Sequence, residues 1–229
     1  MGSPPPAGRS GFLRRACRNG TDRSHFADAH KGPAPSKRQQ AYRCRRRDDD
    51  ALFYGLHHPC GRHRGSLLAA PFTVSEGAEE GALIGALARR LLSDTPTEDL
   101  RVFTAWEGST LVGGIFFTRL TFAGDARAAF LMAPVAVAIH RQGKGIGQRL
   151  IAHGLDALRQ NAVDIAVTYG DPNFYGRVGF APVSEAALPA PQPLQQPQGW
   201  IAQSLTKAPL TPLRGPSRCV ASFEDPVLW

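Results

Sequence analysis

Val135-Ala136-Val137-Ala138-Ile139-His140-Arg141-Gln142-Gly143-Lys144-Gly145-Ile146-Gly147 joins two segments of opposite character. Before it, Ala128 to Ile139 is a run of 12 apolar residues, within which Phe130 to Ile139 reads as a buried strand. After it, Ile146, Leu150, Ile151, Leu155 and Leu158 recur at helical spacing, so a helix is expected from Gly145 to Gln160. Ile165 to Tyr169 is β-branched and reads as the next strand. A strand, a long helix and a second strand form a crossover, which demands parallel pairing of the two strands.

Upstream the punctuation is different. Leu100 to Trp106, Leu111 to Leu120 and the strand from Phe130 are separated by the turns Glu107-Gly108-Ser109 and Gly124-Asp125, an antiparallel meander. Before these, Phe72-Thr73-Val74 reads as a short strand and Ser75 as a helix N-cap. Leu83, Ile84, Leu87, Leu91 and Leu92 then mark an amphipathic helix over Ala78 to Leu92. Downstream, a short helix is expected over Asn173 to Val178, a loop over Pro189 to Pro197, and strands at Trp200 to Leu205 and Cys219 to Phe223. The fold class is α/β: a mixed sheet, a meander followed by a βαβ crossover, with helices on both faces.

The net charge of +8 divides unevenly along the 229 residues. Residues 1–71 hold 14 Lys+Arg and 5 Asp+Glu, whereas residues 72–229 hold 13 and 14. The chain therefore reads as a basic N-terminal extension, 1–71, and a near-neutral domain, 72–229. No apolar period persists for two turns in the extension, so it cannot offset its ordering entropy and reads as disordered. Arg43-Cys44-Arg45-Arg46-Arg47 reads as a solvated charge run before it reads as an anion-binding patch. An organellar presequence fits its arginines but not its prolines, and a further reading sets the extension outside the working protein. Cys60-x-x-His63, with Cys44, His57 and His58, lacks a visible four-ligand scaffold, so no metal is expected.

The domain is long enough to bury about two-thirds of its unfolded surface in one core. Cys219 is its only cysteine, which excludes a disulfide framework. The 12-residue apolar run falls short of the ~20 residues a membrane helix needs. Phe12-Leu13 does not make the apolar core of a secretory signal, so a cytoplasmic setting is expected.

The turn carries the chemistry. Its glycines let backbone approach a ligand without Cβ clashes, and the opening turn of a helix offers free N–H groups and a positive dipole end. Arg141, Lys144 and Arg149 add charge, so a pyrophosphate suits the place. A glycine turn with no ligand is the competing reading. Walker A is excluded because Gly145 follows Gly143-Lys144, and the dinucleotide fingerprint because Gln148 stands where its third glycine belongs.

Gln142-x-x-Gly145-x-Gly147, after an apolar strand and opening a helix, resembles motif A of the GNAT-superfamily N-acetyltransferases. A second stretch, Tyr169-Gly170-Asp171-Pro172-Asn173-Phe174-Tyr175-Gly176-Arg177-Val178-Gly179-Phe180, is similar to the Gly-Asp-Pro-x-x-Tyr-x-x-x-Gly-Phe signature of one bacterial branch. The likeness covers residues 72–229 and has no counterpart in the extension. It implies that backbone of Val135, Ala136 and Val137 holds acetyl-pantetheine, while Gln142, Gly143, Lys144, Gly145, Ile146 and Gly147 hold the pyrophosphate of acetyl-CoA. It also implies that a strand N–H stabilises the oxyanion and that Tyr175 protonates the leaving thiolate. Without the motif, Tyr175 would read as a packed aromatic.

The implied activity is transfer of acetyl from acetyl-CoA to a primary amine, by direct attack in a ternary complex. Cys219 is too isolated to suggest a covalent intermediate. Ala128 to Ile139 contains no Asp or Glu, which keeps a second class open, a non-catalytic acyl-CoA sensor or scaffold. Asp171 is a candidate base, but Asp-Pro reads first as N-cap and N1 of the short helix. His140 reads as exposed, and Gly179-Phe180 as a helix end. Acceptor specificity is expected from the loops at Leu92 to Leu100 and Pro189 to Pro197 and from the tail. Neither a membrane nor a nucleic acid is expected as partner of the domain; a homodimer stays open.

Overall fold

The computed structural model describes residues 51–56 and 78–229. Its strands are β1 (Ala51–Leu56), β2 (Leu100–Glu107), β3 (Thr110–Phe122), β4 (Asp125–Val137), β5 (Ile165–Tyr169), β6 (Ala181–Pro182), β7 (Trp200–Ser204) and β8 (Ser217–Arg218). The helices α1 (Ala78–Asp94), α2 (Ile146–Gln160) and the short α3 (Pro172–Tyr175) complete the frame, with single 3-10 turns between. The strands lie in the order β1-β2-β3-β4-β5-β7-β6, and β8 pairs with the far end of β3.

The meander and the crossover are both present. β2, β3 and β4 pair antiparallel, and β4 pairs parallel with β5 through Ala129↔Ile165 to Leu131↔Val167. Strand alternation sorts the core onto two faces. Leu131 and Phe116 meet Ile84, Leu87, Ala88 and Leu91 of α1, whereas Phe130, Met132, Ile115 and Phe117 meet Leu150, Ile151 and Leu155 of α2. Each such large side chain, wholly buried, contributes about 1.5–3 kcal/mol.

Three expectations differ from the structure. Residues 1–71 read as disordered, yet Ala51–Leu56 forms β1, antiparallel to β2 from Ala51↔Glu107 to Leu56↔Val102. Six residues supply too short a pattern to register as a period, while the open edge of β2 offers backbone partners. The remainder of that segment, with the arginine run, the Cys and His candidates, the Phe72-Thr73-Val74 strand and the Ser75 cap, lies outside the described residues. The strand expected at Cys219 to Phe223 is instead β8 over Ser217–Arg218 followed by a 3-10 turn at Ala221–Phe223. This stretch is placed by burial: Phe223 packs with Trp229 and Leu228 against the α1 face. Finally, β4 starts five residues earlier than expected, at Asp125, where the hairpin bond network captures the polar residues.

Candidate active site

β4 and β5 run together for three residue pairs and then part. The cause is local. In the β3–β4 register Phe117 faces Met132 but Ile115 faces Val135, so Ala133 and Pro134 both stand opposite Phe116. An extra residue of this kind bends the strand, and Pro134 has no N–H to give a ladder. At the parting, β5 holds β4 by a side chain: the buried Thr168 Oγ1–H donates to Met132 O (2.8 Å). Among the described residues no strand pairs that edge of β4 beyond Leu131.

The free edge has a defined phase. Ala138 N–H donates to Val112 O (2.9 Å), so Ala136 also faces β3, and Val135 and Val137 turn their N–H and C=O groups the other way. Gln142 Nε2–H donates to Val137 O (3.1 Å) along that edge and so ties the turn to the strand.

Gly143 (φ +75°) and Gly145 (φ +74°) are left-handed, which explains the residue type at both. Gly145 is the N-cap of α2 and supplies no side-chain acceptor to the first turn. Lys144 is exposed, and Arg149 lies across the turn, its Nη1 3.8 Å from where a Cβ on Gly145 would stand. Arg141 is otherwise engaged: its Nε pairs with Glu107 Oε2 at 2.6 Å. Of the three cations expected to serve the turn, Arg141 is therefore in an ion pair. His140 is exposed, as expected.

Tyr175 ends α3 and is 5% exposed, in the cluster that contains Val137 and Ile146. Its ring stands edge-on to Phe174 (4.9 Å) and to Phe180 (6.0 Å). Phe174 in turn reaches within 3.8 Å of a Cβ position on Gly147. The fold thus brings Val135, Ala136, Val137, the turn Gln142–Gly147 and Tyr175 to one end of the crossover. Asp171 behaves as a cap: Oδ1 accepts from Asn173 N–H (2.9 Å) and from Asn173 Nδ2 (3.0 Å), with Pro172 at N1. Cys219 is a poor nucleophile, because burial pushes its thiol up to about 11.

One neighbouring feature has no counterpart in the sequence pattern. On the α1 face, beneath the parting strands, Ala133, Pro134 and Tyr169 border a cavity closed by the tail residues Phe223, Leu228 and Trp229. Trp229, with Phe223 and Leu228 close before it, was the available signal.

Parted parallel strands with a glycine turn on the helix between them define a domain that can lay an extended, phosphate-bearing ligand along a strand edge. Comparison with known proteins makes the class specific. Residues 67–183 match the acetyltransferase (GNAT) domain family. The chain is 35% identical over 156 residues to the uncharacterized N-acetyltransferase YjhQ of Escherichia coli (strain K12), spanning 66% of this chain and 83% of that protein. This chain belongs to the GNAT acetyltransferase family. Its fold is shared with the crystal structure of Escherichia coli YhbS, a GNAT family N-acetyltransferase in complex with CoA (TM-score 0.64, 22% identity, 78% of this chain and 96% of that one). It is shared also with a GNAT acetyltransferase from Brucella melitensis in complex with acetyl-CoA (TM-score 0.56, 20% identity, 75% and 98%). Among the described residues no helix is long and apolar enough to cross a membrane.

Proposed function

We propose that this chain transfers an acetyl group from acetyl-CoA to a primary amine, by direct attack within a ternary complex. The carrying observation is the edge of β4 at Val135 and Val137, which no strand pairs among the described residues, adjoining the left-handed glycines at the start of α2. The residues fit the coenzyme: the N–H and C=O of Val135 and the N–H of Val137 would hold the pantetheine amides as a neighbouring strand would, Val137 O being held by Gln142 Nε2–H. N–H groups from Gly143 to Gly147, with Lys144 and Arg149, would take the pyrophosphate. Two of those positions tolerate no Cβ without backbone strain, and a Cβ on Gly143 would point into open space. When bound, acetyl-CoA supplies the activated acyl carbon and a thiolate leaving group.

The chain's own groups do the rest. An edge N–H of Val135 or Val137 polarises the thioester carbonyl and stabilises the developing oxyanion. The amine nitrogen forms its bond to the acyl carbon as the C–S bond breaks. Tyr175 gives its phenolic proton to the sulfur and recovers one from the amine through solvent. Its place in the Asp171-Pro172-x-x-Tyr175 segment, which reads as the branch signature, supports that role. Asp171, committed to capping, is not needed for it.

Titration calorimetry with acetyl-CoA tests the reading: no binding at high micromolar concentration sinks it. A panel of amines then separates transfer from a non-catalytic acyl-CoA module, which the absence of Asp and Glu from Ala128 to Ile139 would also allow. Binding without CoA release on any amine would favour the module. Replacing Cys219 by Ala should leave turnover unchanged.

A further inference from the structure

After Tyr175 the chain folds back on it. The 3-10 turn Gly176–Val178 ends at Gly179, whose φ is +96°. Gly179 N–H then donates to Gly176 O (3.1 Å) and Phe180 N–H to Tyr175 O (3.2 Å), so residues 176–180 close on the tyrosine. Phe180 brings its ring edge-on to the Tyr175 ring. Beyond it, β6 pairs with β7 through Ala181↔Ala202 and Pro182↔Ile201. One residue further along that register Phe180 would face Gln203, but there the ladder stops.

Gln203 continues it with a side chain. β7 holds the residue in the sheet, opposite Ala166 of β5. Its Nε2–H donates to Val178 O (3.2 Å), and its Oε1 accepts from Arg159 Nη2 (3.3 Å). The amide therefore has one orientation, carbonyl to a guanidinium and N–H to a carbonyl. It lies on the bare Cα of Gly179, where a Cβ would overlap Nε2. Any side chain at 179 would thus drive the amide off Val178 O. Arg159, in the last turn of α2, is itself paired with Asp156 Oδ1 (2.7 Å). One helix thereby carries the glycine turn at its start and steadies the return after Tyr175 from its end. Supporting bonds of this kind keep a reacting group on its aim.

We propose that Gln203 is a positioning residue for Tyr175: through Val178 O and Gly179 it fixes the 176–180 return, and so directs the phenol at the leaving thiolate. The assignment rests on the transferase reading and on Tyr175 as its general acid. Gln203 itself touches none of the reacting atoms.

The test uses the full chain with acetyl-CoA, following CoA release on ethylamine, benzylamine, lysine and spermidine as acceptor probes. On whichever probe the chain acetylates, Gln203→Leu, which keeps bulk and loses the donor, should lower kcat about tenfold through a small misplacement of the phenol. The acetyl-CoA dissociation constant should stay within about twofold, since the N–H groups of the α2 turn are untouched. Gln203→Glu can still meet Arg159 but cannot donate to Val178 O, and should lose as much. In a Tyr175→Phe chain, by contrast, Gln203→Leu should change kcat by less than about twofold, because both act on one proton transfer. Amide hydrogen exchange reads the same brace without turnover. In Gln203→Leu the Phe180 N–H should exchange about tenfold faster, while β5 and α2 keep their protection.

Equal losses of kcat in the wild-type and Tyr175→Phe backgrounds overturn the assignment, as does unchanged exchange at Phe180. Loss of protection throughout the domain in both Gln203→Leu and Gln203→Glu makes the residue structural and overturns it too. Should Gln203→Leu alone unfold, Gln203→Glu carries the same comparisons. A wild-type rate in Tyr175→Phe removes the general acid and the positioning role with it, leaving the transferase reading intact. Failure of acetyl-CoA to bind, or binding without CoA release on any probe, overturns the transferase reading itself.

Discussion

Tyr175 is nearly buried between Phe174 and Phe180, so the ring can keep its packing when the hydroxyl is removed. Tyr175→Phe should therefore lower kcat by about 100-fold, the usual weight of a general acid, and leave acetyl-CoA affinity within about twofold. A collapse of affinity in the calorimeter would assign the residue to packing instead. Gly145 makes the opposite case, because its φ of +74° carries a cost of about 1–2 kcal/mol for any L side chain. Gly145→Val should lower the thermal midpoint and weaken acetyl-CoA by about tenfold, as the N–H groups of the turn lose their aim. Asp171 separates cap from base. Asparagine caps as well as aspartate, so Asp171→Asn should keep turnover within about twofold and Asp171→Ala should cost about 1 kcal/mol of stability. A large loss of rate in the asparagine variant, across a pH profile, would make Asp171 the proton acceptor.

At the scale of elements, the seat of α2 on the sheet depends on a residue with no side chain. A Cβ on Gly154 would stand 2.6 Å from Phe117 Cε2 and 3.3 Å from Phe103 Cδ2, inside their contact distance. Gly154→Ala should then destabilise by about 1–3 kcal/mol despite the better helix propensity of alanine, which thermal unfolding would measure. The crossover itself was readable, because Ile146, Leu150, Ile151, Leu155 and Leu158 all lie buried on the face their spacing describes. The bulge was not. Ala133-Pro134 sits inside an unbroken apolar run, and only its pairing opposite Phe116 reveals that two residues occupy one place. The two-residue β8 and the Ala221–Phe223 turn escaped for a related reason: pairing with Thr121 and Phe122 of β3 holds the one, and burial of Phe223 against Trp229 the other.

For the molecule as a whole, Arg127 ties the hairpin between β3 and β4 to the tail. Arg127 donates two bonds to Asp125 (2.9 and 2.7 Å) while reaching Thr211 O (3.0 Å) and Pro212 O (2.9 Å). Arg127 holds the Asp125 carboxyl well below the usual carboxylate range. A folded value below the unfolded one means that the contribution is present at neutral pH and is lost as pH falls below about 4. Asp125→Asn should thus flatten the decline of the thermal midpoint between neutral and acid pH; an unchanged decline would show that other carboxylates carry it. Charge also reads differently at this scale. In the sequence the excess of +9 belongs to residues 1–71, whereas at the turn Arg141 is paired with Glu107.

Local pattern was enough for the meander, the crossover and the glycine turn, since each depends on periodicity or on backbone conformations that only certain residues adopt. Residue type likewise pointed to the cap at Asp171, whereas Tyr175 was singled out only by the resemblance of its segment to the branch signature. Register and long-range burial settled the remainder. The phase of the β4 edge follows from a bond between Ala138 and Val112, and β1 from the open side of β2. The cavity beneath Ala133 and Pro134 exists because α1, a strand bulge and Trp229 converge from positions far apart in the chain. Such convergence has no local pattern, because the energy that fixes it is apolar burial between residues brought together only by folding.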